Sequence, residues 1–304
     1  MIPKKRLYFF SSLLFISVML FYHPVHSQNY STLTASFYQN KFTLNPASIN
    51  GEQTTIWLGY STMNINIDGR PEIMFLTSTT PISSNMGLGA TLSNERIGFY
   101  NRTRFSGAYQ YGIKISSDKK LMFGLSLGTY LERILNDKVD QKTINSGILD
   151  SYNQNSIELE TGVGMSYQDK NWNIGASIPS MRRTNLSPNS IPYFVFNATY
   201  SYKRHLVSFE PIINMMLYKN YQNLLNIGIQ CNFSNRLELF TIHNPISVNK
   251  NTVFGMNYIS SHSWNILLSY YFGIGTVQQE FGLGKFEIGF GMNFDVKKKS
   301  KKII

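Results

Sequence analysis

From about residue 54 to residue 294 the chain repeats one pattern, segments of about ten residues in which apolar side chains alternate with small or polar ones. Leu225, Ile227, Ile229, Cys231 and Phe233 interleave with Asn226, Gly228, Gln230 and Asn232. Phe286, Ile288, Phe290, Met292 and Phe294 interleave with Glu287, Gly289, Gly291 and Asn293. A period of two puts each set on one face of an extended strand. One face stays apolar to its very ends, and the other is built from Gly, Asn, Ser and Gln. Such a strand suits a wall with lipid outside and water inside, which predicts an all-β fold, a transmembrane antiparallel β-barrel.

The pattern predicts about fourteen strands, near 54–66, 70–80, 84–93, 101–114, 121–133, 156–167, 171–178, 191–203, 205–217, 222–232, 236–243, 252–260, 264–273 and 285–294. An even count lets both ends of a barrel lie on one side, here the periplasmic one. Short connections at 116–120, 169–170, 203–204, 234–235 and 261–263 alternate with long ones at 134–155, 179–190, 244–251 and 274–284. That alternation is expected of short periplasmic turns and longer external loops. Asn94–Tyr100 is long for a turn, and Asn66–Gly69 is short for an outer loop. Charges on strands mostly take the polar face, as Arg102, Arg104, Lys114, Glu158, Glu160 and Glu287 do. On the lipid face at mid-membrane a charge costs about 2–4 kcal/mol. Glycines on the polar face suggest a narrow or tightly filled interior. A soluble β-sandwich or propeller also shows many evenly spaced strands, but no blade-length repeat is present.

Ahead of the barrel, Lys4, Lys5 and Arg6 precede an apolar run from Leu7 to Tyr22, with small residues near Ser27. This reads as a signal peptide over residues 1–27; as an uncleaved anchor the run is short. Residues 28–53 become an N-terminal periplasmic lead-in, 54–294 the outer-membrane barrel and 295–304 a Lys-rich tail. Mean hydropathy is slightly negative, which a barrel tolerates because half of each strand faces water. The net charge of +11 lies mostly at the ends: three positive charges in the leader and five lysines in the tail. It describes no nucleic-acid-binding surface. The one cysteine, Cys231, cannot form an intramolecular disulfide and reads as a small hydrophobe on the apolar face.

The lead-in carries a more specific pattern, Phe37-Tyr38-Gln39-Asn40 followed by Leu44-Asn45-Pro46-Ala47 and Gly51. Asn-Pro and Asn-Gly are turn formers that bracket an irregular approach to the first strand. Further on come Arg70-Pro71, Gly87-Leu88-Gly89, Asn94-Glu95-Arg96-Ile97-Gly98 and Ser106-Gly107-Ala108-Tyr109-Gln110-Tyr111. The ordered series resembles the PorP/SprF family, over most of the chain and most closely over about residues 37–133. The resemblance implies a Bacteroidetes outer-membrane barrel of the type IX secretion and gliding apparatus. It implies as partners a secreted adhesin or a cargo C-terminal domain, together with periplasmic or outer-membrane secretion components. Leu44, Asn45, Pro46, Ala47 and Gly51 are the signature it places here.

Catalysis finds little support. A barrel hydrolase needs a His near a carboxylate or Ser at the outer rim. His23 and His26 lie in the leader, His205 and His262 in turns, and His243 ends a strand without a sequence-local partner. No spacing suits a metal, and Asp137, Asp140 and Asp150 alternate with lysines in a mixed-charge loop. Gly282-Leu283-Gly284 precedes no helix and is no nucleotide loop. Neither a cofactor nor a metal is expected, and the chain reads as a non-enzyme. Glu158 and Glu160 share a face and are expected to neutralise lumen bases such as Arg102 and Arg104. Two basic features are candidates for binding a partner: Arg182-Arg183 in the Pro-rich loop 179–190, and Lys297, Lys298 and Lys299 in the tail. Outer-membrane lipid would surround the wall. The alternative function is a porin-like channel or small-substrate transporter.

Overall fold

The computed structural model describes residues 35–49, 51, 53–63, 69–135, 157–182, 193–218, 223–246, 251–261, 263–273 and 284–295. The strands are β1 (Gln53–Met63), β2 (Glu72–Pro81), β3 (Met86–Ile97), β4 (Tyr100–Lys114) and β5 (Lys120–Ile134), then β6 (Ile157–Gln168), β7 (Trp172–Arg182), β8 (Tyr193–Tyr200), β9 (Tyr202–Arg204) and β10 (Val207–Tyr218). β11 (Leu224–Phe233), β12 (Leu237–Asn244), β13 (Asn251–Ile259), β14 (Trp264–Gly273) and β15 (Lys285–Asp295) complete the set. Each pairs antiparallel with its neighbour in sequence. β8 and β9 are two pieces of one pass, broken at Ser201 and both paired with β10. The result is a fourteen-strand meander, closed where β15 runs against β1 from Gln53↔Asp295 to Met63↔Lys285. Closure pairs the backbone polar groups of every strand and leaves no edge, the condition for crossing lipid with strands. No helix among the described residues is long and apolar enough to cross a membrane.

The alternation reads out as two faces. Outward positions such as Leu125, Leu127, Ile157 and Leu159 stay more than 60% exposed to solvent in the isolated chain, so in place they face lipid. Outward aromatic rings meet near both rims, Trp172 with Tyr200 and Tyr258 with Trp264 at one end, Phe254 and Tyr270 with Phe272 at the other. Rings at the two water–lipid boundaries are a barrel's interfacial anchors. Cys231 is a half-buried free thiol.

One rim carries the chain's two barrel ends and mostly short turns; the other carries the longer connections, together with the tight turn between β3 and β4. Tight turns on the first rim use left-handed residues at His205, Ser234, Asn235 and Ser263. Three expectations shift. Asn94–Tyr100 is not a connection, since β3 continues to Ile97, which pairs with Tyr100. The turn is Gly98–Phe99, and Gly98 takes a positive φ of 60° that favours glycine. β7 runs past residue 178 to Arg182, through a register shift opposite Thr161 and Val163. Finally, residues 35–49 do not lead up to the barrel from outside. They lie within it.

Candidate functional site

The lumen is filled by its own N-terminal segment. Two short 3₁₀ turns, Ala35–Tyr38 and Lys41–Thr43, carry the chain among the inward side chains before β1 begins. Asn45-Pro46 builds the next bend: the Asn45 side-chain oxygen accepts from the Ala47 N–H at 2.9 Å, and its amide nitrogen donates to the Met165 carbonyl at 3.0 Å. Asn45 and Ala47 are buried, as is Leu44, whose carbonyl accepts from the Ser177 hydroxyl at 2.6 Å. Gly51 is exposed at the short-turn rim. The signature residues Leu44 to Ala47 are thus the fastening of a plug.

The wall makes room for it. A Cβ at Gly124 would fall on the Pro46 carbonyl carbon, and one at Gly164 on the Asn45 side-chain oxygen. Small residues on the polar face were legible in the sequence; what they accommodate was not.

Polar contacts bind the plug on several sides. The Ser36 N–H donates to Glu287 Oε1 at 2.9 Å, and Gln39 donates to Glu238 Oε2 at 2.7 Å. Asn40 donates to Thr77. Lys41 reaches Thr199 at 3.2 Å and Glu210 at 3.5 Å. The Ile49 N–H donates to Gln110 at 2.7 Å. Both Glu238 and Glu287 are buried and further hydrogen-bonded, Glu238 from Asn257 and Asn232, Glu287 from the Tyr271 hydroxyl. A buried carboxylate is tolerable only when it is so satisfied.

Around the plug the inner wall divides into two arcs. On β8 to β14, Val195, Ile212, Met216, Leu224, Phe240, Ile242, Val253 and Leu267 form a buried apolar cluster with Phe37, Tyr38 and Leu44 of the plug, which extends to Trp57 on β1 and Phe75 on β2. On β3 to β7 stands an ionic belt. Arg102 bonds Glu132 at 2.7 Å and lies 3.6 Å from Glu95. Arg104 pairs with Glu160 and donates to the Pro179 carbonyl at 3.2 Å. The expected neutralisation therefore holds for Glu160 with Arg104. Arg102 takes Glu95 and Glu132 instead, and Glu158 faces Arg182 at 3.8 Å.

Arg182 is the main correction among the proposed partner-binding residues. It lies on β7, beside Glu160 in register, with its guanidinium 3.7 Å from the centre of the Tyr130 ring. It belongs to the ionic belt rather than to an exposed basic pair in a loop. The register shift at Pro179 kept β7 going beyond the point where alternation in the sequence fails. Arg183 and Lys297, Lys298 and Lys299 lie outside the described residues, as do the leader, Asp137, Asp140, Asp150 and His262. His243 is exposed on β12, and its Nδ1 lies 3.0 Å from the Thr252 hydroxyl. Among the described residues no cluster of His, Cys, Asp and Glu could hold a metal ion.

A closed, fourteen-strand barrel with an apolar exterior and a polar, plugged interior is an integral protein of the outer membrane. The chain belongs to the type IX secretion system membrane protein PorP/SprF family, whose model matches residues 25–294. No curated protein sequence matches it. Among solved structures it is similar to the CymD monoaromatic hydrocarbon channel, with 10% identity, 88% of this chain and 94% of that one covered, and a TM-score of 0.52. It is also similar to a TodX monoaromatic hydrocarbon channel lacking S2 and S3, at 11% identity, 84% and 94% coverage and a TM-score of 0.51. The Ralstonia pickettii toluene transporter TbuX gives 10% identity, 83% and 93% coverage and a TM-score of 0.50. At these identities the likeness is one of fold.

Proposed function

We propose that this barrel is a non-enzymatic scaffold of type IX secretion. It would hold a secreted adhesin or cargo protein at the surface and engage components of the secretion apparatus, by binding rather than by turnover. Family membership supplies the process; one structural observation favours binding over conduction, namely that the lumen is packed with residues 35–49. That segment is joined to strands all round the wall, including β2, β4, β6, β7, β10, β12 and β15. An aqueous pore needs a continuous polar path, and here apolar and hydrogen-bonded side chains occupy it.

The short-turn rim is assigned to the periplasm, because barrels of this kind keep their short turns there. The fold shared with hydrocarbon channels keeps the channel reading as the alternative.

The test is a detergent pull-down of the tagged barrel from its native envelope, read by mass spectrometry, beside planar-bilayer conductance of the purified protein. Scaffold function predicts recovery of one large secreted protein or of secretion components, and a closed barrel. A barrel that comes out alone and conducts steadily would overturn it in favour of a channel.

A further inference from the structure

Between the plug and the short-turn rim the lumen opens into a vestibule of about 400 Å³. Its walls are the last few inward residues of the strands at that rim, and their composition is distinctive. Carboxamides dominate: Gln53, Gln168, Asn173, Asn265 and Asn293 from the barrel, Gln39 from the plug. Lys41 and Lys120 are its cations, and no carboxylate lines it among the described residues. Lys41 is paired with Glu210, whereas Lys120 makes no salt bridge among the described residues.

The vestibule does not end at the mouth. A second cavity of about 420 Å³ lies over the rim, between the turn joining β4 to β5 and the turn joining β6 to β7. Lys120 and Gln168 line both. Ser117, Asp118, Asp169 and Lys170 complete the outer cavity, so the carboxylates stand outside the mouth and only the inner vestibule is purely cationic. Together they form a groove that runs from outside the rim into the lumen, with an uncommitted ammonium at its midpoint.

We propose that this groove binds an extended polypeptide segment of a partner, one carrying an acidic side chain or free carboxylate that meets Lys120. Three observations select that ligand. A carboxamide offers both donors and an acceptor, which matches the alternating N–H and C=O groups of a peptide main chain. The same lumen already holds one peptide in this manner, since wall side chains bond the plug's main chain at Leu44 through Ser177 and at Ile49 through Gln110. A glycan, the other polymer that amides bind, needs open aromatic faces for its sugar rings. The vestibule's two rings do not supply them: Phe42 and Trp57 are buried, the first packed over Gly89 and the second over Gly289 and Gly291. The inference rests on the binding role proposed above and locates one of its contact sites.

The test uses the purified full-length barrel, immobilised in detergent and offered a synthetic mixture of random decapeptides with free C-termini; retained peptides are sequenced by mass spectrometry. Retained peptides should be enriched in Asp and Glu and depleted of Lys and Arg. Lys120→Glu should abolish that enrichment and weaken binding of a selected acidic peptide about ten-fold, the loss of one charge-assisted hydrogen bond. Gln168→Ala should weaken it less, and Lys203→Glu, elsewhere on the same rim, not at all. Heat-modifiable gel mobility confirms that each variant is a folded barrel. Retention of no peptide, equal retention by Lys120→Glu, or displacement of bound peptide by peptidoglycan glycan fragments would overturn the site. If the native partner is still recovered from envelopes with Lys120→Glu, the scaffold reading stands and this site is wrong. If acidic peptides bind as described but no partner is ever recovered, the site stands and the scaffold reading falls.

Discussion

The two arcs of the inner wall face the same plug with opposite chemistry. On β8 to β14 the inward side includes Val195, Ile212, Met216, Phe240, Val253 and Leu267, packed as a soluble core would be, beside buried polar residues such as Asn214, Asn257 and Glu238. On β3 to β7 it includes Glu95, Arg102, Arg104, Glu132, Glu160 and Arg182, joined in pairs. The apolar arc gains from every methylene removed from water. The ionic arc gains little from its existence, because desolvation cancels most of the attraction, yet losing one partner strands a buried charge. The first arc therefore packs against the plug, while the second links the side chains of β3 to β7 to one another.

That difference is open to a direct test. Arg104→Ala leaves the carboxylate of Glu160, itself only 2% exposed, without its guanidinium. The expected loss is about 3–5 kcal/mol, read as a shift of the guanidinium midpoint in detergent. Replacing both partners with apolar residues of similar volume, Arg104→Met with Glu160→Leu, should recover most of it. A double variant as unstable as Arg104→Ala would mean that the pair itself stabilises the barrel, and the contrast between the arcs would fail. Across the lumen, Leu267→Ala deletes a fully buried side chain at an expected cost of about 3 kcal/mol. Combined with Arg104→Ala its effect should add within about 0.5 kcal/mol; a larger departure would show that the arcs communicate through the plug.

Gly124→Val lies on β5, within the ionic arc's strands, but touches the plug rather than any ion pair. Its side chain would take the space of Pro46 and Ala47. Overpacking of this kind costs about 1–3 kcal/mol, and the plug can give way more readily than the hydrogen-bonded wall. The expected outcome is a folded barrel with its plug displaced, seen as new conductance in planar bilayers and as protease cleavage within residues 35–49. An unchanged, closed barrel would show that the wall yields instead.

The outer shell of this architecture was legible because lipid imposes a simple rule on it. A residue such as Leu125 must be apolar whatever its neighbours, so period two survives from Leu121 to Leu127 of β5. The interior obeys no such rule. Glu238 and Glu287 stand in the sequence as isolated polar positions, and only the fold brings them to Gln39 and Ser36, 199 and 251 residues away in sequence. The plug was missed for the same reason: residues 35–49 have no periodicity, and Asn45-Pro46 reads as a turn wherever it lies. The clue available was on the facing strands, where Gly124 and Gly164 stand on the polar face with nothing in their own strands to require them. Arg182 was misplaced because Pro179 and the register shift interrupt the alternation that marks a strand.

The smallest effect concerns a carboxylate outside the membrane. Asp169 opens the turn between β6 and β7 at the short-turn rim, and its Oδ1 accepts from the N–H groups of Asn171 at 2.8 Å and Trp172 at 2.7 Å. These two backbone bonds, Trp172 first, hold its carboxyl below the usual carboxylate value. Unlike the ion pairs of the lumen, this group keeps most of its hydration on folding. A carboxyl depressed in the folded state adds stability that is fully present above its unfolded value, about 3.9. That stability is lost as pH falls through the lower folded value. The difference in unfolding midpoint between the wild type and Asp169→Asn should therefore be constant at neutral pH and shrink below about pH 4. Asp169→Ala, which also removes the acceptor, should keep a residual deficit at the acid end. A wild-type advantage over Asp169→Asn that persists undiminished to pH 2 would mean that the charge is not what holds this turn. The contrast between a stranded interior charge and a well-served surface one would then need a different basis.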